Sequence, residues 1–341
     1  MTKLRLIQCG VGGFGRNWLL NYTSQSQDFD LVAIVDVSEE ALEQGGEEAG
    51  IPPQRRFRSL EEALQSIEAD AVLSVTPPAV HIEHARLAFQ HGLHLMTEKP
   101  IADTLEHALE MVALARQAGR QLVVSQNYRY RAPVQTMRAI LNQCAVGEFG
   151  HGHLDFYIPA DFTGTFRETM EFPLLIDMAI HHLDLIRYVT GRDIARVTAL
   201  SFRPAWSWYR HDPGLKMLLE LSDGTAFSYS GDWSARGQAT SWNGDWRLQC
   251  AEGSIHLTGE RVWVARSERW NRNPTREEIP LMAMRLHDQG ATLHQFAVAI
   301  RTGQPAEVSG EDNLRSFAAV IAGVKSAREG RPVALSELLP D

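Results

Sequence analysis

The chain has 341 residues, 44% of them apolar, which is enough for two buried cores of ordinary domain size. Its 33 Lys and Arg against 42 Asp and Glu leave a formal charge of −9, which argues against phosphate polymers, so nucleic acid is not an expected partner. The apolar runs fall far short of the roughly 20 residues a membrane helix needs, the N-terminus enters a strand-like run rather than a signal peptide, and Cys9, Cys144 and Cys250 form no CxxC pair; a reduced, cytoplasmic protein without a membrane partner is expected.

Residues 4–8 read as an apolar strand, followed by a glycine cluster, a helix-like stretch over 14–22 and a second apolar run over 31–35 closed by Asp36, which together make a βαβ unit. The alternation continues with a helix over 41–49, a strand over 71–75 ending in Thr76-Pro77-Pro78, a helix over 80–91 stopped by Gly92, and a strand over 94–96 ending in Glu98-Lys99-Pro100. In the next helix Asp103 and Glu106 have the spacing of a capping box, Ala108, Met111, Val112 and Ala115 recur at helical spacing, and Gly119 supplies a left-handed stop. A strand over 122–125 leads into Gln126-Asn127-Tyr128-Arg129-Tyr130. Strands alternating with helices predict an α/β protein whose residues 1–125 form a doubly wound parallel Rossmann sheet. Residues 126–341 then form a second α/β domain, in which one strong helix over 176–189 interrupts short strand-like runs of an antiparallel sheet, and two helices ending at Gly303 and Gly330 close the chain.

Gly10-Val11-Gly12-Gly13-Phe14-Gly15-Arg16 places G-x-G-x-x-G directly after a strand and at the start of a helix, with Asp36 ending the next strand 24 residues after Gly12. Glycine lets the turn fold tightly and the backbone approach a pyrophosphate, while a carboxylate at Asp36 accepts from a ribose 2′-OH and opposes a 2′-phosphate. NAD is therefore the expected cofactor, ahead of NADP, with Gly10, Gly12, Gly13, Phe14, Gly15, Arg16 and Asp36 around it. Thr76, Pro77, Glu98, Lys99 and Asn127 stand on loops at the carboxyl ends of predicted strands, where open parallel sheets bind ligands.

On a helical wheel Asp177, His181, Asp184 and Tyr188 fall within about 60° of one another. His182 lies among apolar residues and is expected in the core. Asp177, one turn before His181, is placed to orient a general base; a structural polar cluster is the other reading of the same stripe, and no further His or Cys at ligand spacing supports a metal. In the strand that follows the domain junction, ahead of this helix, His153, Asp155 and Tyr157 alternate onto one face, making Asp155 a candidate hydroxyl ligand or a solvent-facing residue. Seven of the eight tryptophans lie in the second domain, where they suit sugar stacking or a sheet core.

These motifs together resemble the Gfo/Idh/MocA oxidoreductases, which include inositol dehydrogenases and glucose-fructose oxidoreductase. The resemblance runs through Gly10 to Arg16, Thr76-Pro77-Pro78 with His81 after it, Glu98-Lys99-Pro100, Asn127-Tyr128-Arg129-Tyr130, Asp177 to Asp184, and Ser309 to Asn313. It implies a large, mostly antiparallel open sheet in the second domain, often an oligomer interface, and a homodimer or homotetramer. It adds His81 to the cofactor residues and Tyr128 to the substrate residues. The family's catalytic lysine falls on Lys99 and its D-x-x-x-H pair on Asp177 and His181, with Lys99, Asp177 and His181 also touching substrate. The implied reaction moves a hydride between a nicotinamide cofactor and a secondary hydroxyl of a sugar, sugar derivative or cyclitol. Two alternatives within the family are an NAD-dependent glycoside hydrolase working by transient oxidation and elimination, and a dinucleotide-sensing regulatory protein.

Overall fold

The computed structural model describes residues 2–267, 269–271 and 273–339. Two compact units emerge: residues 1–127 with 286–314, and residues 128–285 with 315–341. The expected single division near residue 125 therefore needs a correction, because residues 286–314 return to the first unit.

In the first unit six strands, β1 (Leu4–Cys9), β2 (Phe29–Val35), β3 (Arg56–Phe57), β4 (Ala71–Ser74), β5 (His94–Thr97) and β6 (Leu122–Val124), form one sheet in the order β3-β2-β1-β4-β5-β6. Every pairing is parallel. Parallel strands need crossovers, and these cover both faces, so the strand centres are continuous apolar runs such as Ala71-Val72-Leu73, all 0% exposed. The crossovers are α1 (Gly13–Trp18), α2 (Glu39–Glu48), α3 (Leu60–Ser66), α4 (Pro78–Gln90) and α5 (Leu105–Ala118). β1 and β4 are neighbours with sequence running outward on either side of them, so a crevice opens at the carboxyl ends of these two strands. The cap of α5 falls one residue later than expected: Thr104, not Asp103, accepts the His107 amide, and Asp103 instead takes the His107 ring nitrogen at 2.7 Å. Gly119 is left-handed as its position predicts, with φ +61°.

The second unit holds α6 (Ala132–Asn142), α7 (Ala179–Thr190) and a nine-stranded sheet. Its strands are β7 (Phe149–Tyr157), β8 (Ile194–Phe202), β9 (Gly214–Leu221), β10 (Ala226–Asp232), β11 (Asp245–Cys250), β12 (Gly253–Thr258), β13 (Arg261–Arg266), β14 (Thr275–Ile279) and β15 (Val333–Ala334), in the order β14-β13-β12-β11-β7-β10-β9-β8-β15. Only β7 and β10 pair in parallel; the other ladders are antiparallel. Burial alternates along the strands: Gly152, Leu154 and Phe156 face a core, while His153, Asp155 and Tyr157 face the other side. α8 (Asp288–Thr302) belongs to the first unit, where Phe296 stacks on Phe29 at 5.7 Å. α9 (Gly310–Glu329) follows and ends at Gly330. Among the described residues no helix is long and apolar enough to cross a membrane.

Candidate functional site

The glycine turn is built by close backbone approach. A Cβ on Gly10 would stand 2.2 Å from the Val75 carbonyl oxygen, and one on Gly15 would stand 2.3 Å from the Gly10 carbonyl oxygen, so neither position tolerates a side chain. Asp36 closes the turn from the end of β2: its Oδ2 accepts the amides of Val11 at 2.8 Å and Gly12 at 3.1 Å, and its Oδ1 accepts that of Ser38 at 2.9 Å. Gln8, fully buried on β1, completes the scaffold. Its Nε2 donates to the carbonyls of Gly10 (2.9 Å) and Gly15 (2.8 Å), and its Oε1 accepts the Thr23 hydroxyl at 2.7 Å. Thr23 ends a π-helical turn, Leu19–Thr23, that continues α1. Sequence reasoning passed over Gln8; its signal was a polar residue inside the apolar run Leu6-Ile7-Gln8-Cys9.

A cleft of about 500 Å³ opens beside this turn, lined by Gly10, Gly12, Asp36, Thr76 and Pro77 with apolar walls from Val35, Val80 and Leu87. A Cβ on Gly12 would meet the Ala41 methyl at 3.5 Å and the Asp36 carboxylate at 3.8 Å. The donors, the carboxylate and the apolar walls fit an adenosine dinucleotide. Arg58 also lines the cleft, unnoticed in the sequence; its guanidinium donates to the Val37 carbonyl and lies 3.8 Å from Glu39.

The remaining expected cofactor residues are arranged around the turn and the neighbouring loops. Phe14 is exposed, and Arg16 is drawn to Glu48 on α2, donating from Nε at 2.8 Å. Arg16 therefore ties two helices, a role its motif position did not reveal. His81 is 0% exposed, with one ring nitrogen 3.1 Å from the Thr76 carbonyl and the other 3.1 Å from that of Ile101. It is a strut between the loops that follow β4 and β5, and burial pulls its proton affinity below the ordinary histidine value. Glu98 is buried; its carboxylate accepts the Trp18 indole N–H at 2.8 Å and the Lys99 amide at 3.0 Å. Burial raises its proton affinity, opposed first by the Lys99 charge. Lys99 itself is half-buried at the head of that loop, before a cis peptide to Pro100. Asn127 is buried and donates to Asp288 Oδ1 at 3.1 Å.

In the second unit the stretch expected as one helix is two. Leu174–Met178 is a π-turn and α7 begins only at Ala179, so the 100° step that placed Asp177, His181 and Asp184 on one stripe breaks between Asp177 and His181. Asp177 pairs with Arg167, which donates from Nε at 2.6 Å and from Nη2 at 3.4 Å. Arg167 was not foreseen. α7 is buried on every side from Ala179 to Val189.

His181 is 6% exposed and stacks on Tyr128, with ring centroids 4.2 Å apart and planes 11° apart. The Arg131 guanidinium lies 3.3 Å from the Tyr128 centroid. Two groups this close cannot share one face of a ring, so Tyr128 is sandwiched between a cation and the imidazole. Asp184 is 1% exposed and bound by Arg129 through two hydrogen bonds of 2.7 and 2.6 Å, with the Ser316 hydroxyl at 2.7 Å; it is an ionic strut, the structural alternative for that stripe. His182 behaves as the expected core histidine. The Trp242 carbonyl 3.1 Å from Nε2 can only accept, which makes Nε2 the protonated nitrogen and Nδ1 the acceptor from Tyr229.

Asp155 requires a correction. Phe156 faces α7, its ring 4.7 Å from that of His182, so Asp155 is turned to the opposite side of the sheet, opposite Ser230 and Asp245 and separated from His181 by the strand. Tyr157 shares that side, taking Lys216 Nζ on its hydroxyl at 2.9 Å. Trp233 and Trp246 are core residues, whereas Trp206, Trp242 and Trp270 are exposed.

Residues 4–126 match the family described as "Oxidoreductase family, NAD-binding Rossmann fold", and residues 134–256 match the GFO/IDH/MocA C-terminal domain. The chain is 30% identical to a D-apiose dehydrogenase of Paraburkholderia graminis over 98% of its own length and 90% of that protein. It is 29% identical to inositol 2-dehydrogenase 1 of Paenarthrobacter aurescens over 66% of each chain. An oxidoreductase of Agrobacterium radiobacter, solved with NAD+, L-tartaric acid and magnesium, superposes with a TM-score of 0.88 at 24% identity, covering 99% of this chain and 100% of that one.

Proposed function

From the premise that the chain belongs to the Gfo/Idh/MocA oxidoreductases, NAD-binding through residues 4–126, we propose that its substrate is a sugar, sugar derivative or cyclitol oxidised at a secondary hydroxyl. The observation that carries the redox reading is the glycine turn closed by the Asp36 carboxylate at the mouth of the cleft. The related D-apiose and inositol dehydrogenases support the substrate class. Bound NAD supplies the hydride acceptor. The chain's own residues do the proton work: the His181 imidazole takes the hydroxyl proton, Asp177 balances the charge that appears on the ring, and the Lys99 ammonium hydrogen-bonds the reacting oxygen. Tyr128, stacked on His181, holds the imidazole in one orientation and borders the substrate.

The test is NADH formation from NAD with a panel of inositols, aldoses, aldonates and glycosides, and the reverse reaction from the corresponding ketones. His181→Ala and Lys99→Ala are each expected to lower turnover by about 10²-fold or more with NADH affinity nearly intact. Near-normal turnover in both would remove them from the mechanism. Cleavage of glycosides without net NADH would replace the dehydrogenase by the hydrolytic alternative, and tight NADH binding with no turnover of any compound would favour a sensor. We also place the protein in the cytoplasm, where its free cysteines Cys9, Cys144 and Cys250 stay reduced, and assign the open face of the nine-stranded sheet to pairing with a second copy of the chain.

A further inference from the structure

Between β7 and the π-turn the chain forms a strap over residues 158–172. Its base is fastened to the unit beneath it. Ala160 donates its amide to the Trp233 carbonyl at 3.0 Å, and its own carbonyl accepts both the Tyr209 hydroxyl at 2.6 Å and the Trp208 indole at 3.1 Å. The outer part is bonded to itself and to the next loop: Thr165 caps the short turn Phe166–Glu168, the Glu168 carboxylate accepts the Gly164 amide at 2.7 Å, and the Glu168 carbonyl accepts the Arg210 amide at 3.1 Å.

None of these anchors uses the Arg167 side chain. It runs instead to Asp177, donating twice to the carboxylate, with Phe162 and Phe166 rings 5.0 and 4.6 Å from the guanidinium carbon. Both partners are partly shielded, Arg167 at 28% and Asp177 at 14% exposure of the side chain, so the pair lies where solvent screens it less than at an open surface. The group around it is electrostatically linked: the Tyr209 phenol, raised chiefly by burial, is pushed up further by the charges of Asp161 and Asp177 and drawn down by Arg167. Arg167 is thus the cation set among two carboxylates and a phenol. A π-turn alone does not fix a carboxylate's direction, whereas a two-point guanidinium clasp does.

We propose that Arg167 is a positioning residue for the reaction, holding the Asp177 carboxylate in a fixed orientation, so that the strap carries a group on which turnover depends. This rests on the assignment of Asp177 to catalysis. It makes the sequence between β7 and α7 part of the working site through one side chain.

The experiment is a double-mutant cycle on the intact protein with Asp177→Asn, Arg167→Met and the double variant, plus Arg167→Lys, assayed with NAD varied up to saturation on the panel compound that the wild type turns over fastest. Arg167→Met should lower kcat roughly 10- to 100-fold while the KM for NAD stays within about twofold, because it acts on geometry at the reacting group and not on the dinucleotide. Arg167→Lys should restore part of the rate, and the double variant should be no slower than Asp177→Asn, since coupled residues do not add. If Asp177→Asn is crippled but Arg167→Met turns over normally, or the two losses multiply in the double variant, the inference is overturned and the catalytic assignment stands. If Asp177→Asn itself is normal, or the whole panel is silent in both directions, the assignment falls and takes the inference with it. Thermal melting checks each variant; should Arg167→Met not fold, Arg167→Gln takes its place in the same cycle with the same criteria.

Discussion

Gln8 shows how a single side chain couples the cofactor turn to the core. Its amide supplies two donors to carbonyls of the glycine turn and one acceptor to Thr23, with no access to water. Gln8→Leu keeps the volume and leaves the Gly10 and Gly15 carbonyls without that donor, at a cost of about 1–3 kcal/mol. The expected result is a several-fold weaker NAD affinity by fluorescence titration and a lower melting temperature; unchanged affinity would mean the turn is held by Asp36 alone. His182 carries a second consequence. Burial drives its pKa down to about 3, from 6.5 in an unfolded chain, and His84 is similarly held down to about 4. The unfolded chain therefore binds more protons than the fold between these values, so stability is full above pH 6.5 and falls as the pH drops toward 4. Melting followed from pH 7.5 to 4.5 should show that decline, and His182→Gln, which removes the largest contributor, should flatten it even if the variant starts lower.

Asp184 sits at the joint of α7 and the 3-10 turn Asn127–Tyr130, where Arg129 holds it bidentately and Arg187 approaches to 3.8 Å. Asp184→Asn leaves buried guanidinium charge uncompensated and should cost about 3–5 kcal/mol in urea unfolding, whereas removing both partners with Asp184→Leu and Arg129→Met should cost less than the single change. Equal costs would mean that water reaches the cluster. The sequence announced this helix but not its surroundings: a period of 3.6 reveals which residues share a stripe only while the helix stays α, and the π-turn at Leu174–Met178 breaks that arithmetic at Asp177. The Rossmann strands were legible because long apolar runs between glycine and proline punctuation have few other readings. β3, two residues long, has no period to detect, and α3 follows it closely. That Gly10, Gly12, Asp36, Thr76 and Pro77 border one cleft was legible from order along the chain, since strand ends in a doubly wound sheet fall on one edge. Arg167 and Arg58 were not, because an arginine on a loop carries no local pattern and its partner is set only by tertiary folding.

Long-range pairing also hid the return of α8. Asp28, before β2, is gripped by His294 at 2.6 Å and Arg301 at 2.6 Å, pairs more than 260 residues apart that no local pattern announces. The nine-stranded sheet raises a different question, because one of its faces lies open. Thr198, Leu218, Ser228, His153, Arg247, His256, Trp263 and Glu278 lie side by side across eight strands on that face. Trp263 has the guanidinium groups of Arg276 and Arg261 at 4.1 and 4.7 Å, while Leu200 and Leu218 on adjacent strands are 65% and 59% exposed. Large aliphatic side chains in the middle of strands, bordered by charged and aromatic groups, have the make-up of a protein contact with an apolar centre and a polar rim. A second copy presenting the same face would cover both leucines through one symmetric contact. Leu218→Glu places like charges opposite each other across a two-fold and should weaken association by about 10²-fold or more. Light scattering across a dilution series measures it: the wild type should keep a multiple of the 38.1 kDa chain mass while the variant falls to one chain with its melting curve preserved. A monomeric wild type would free this face of that role, and an unaffected Leu218→Glu assembly would move the contact elsewhere on the chain.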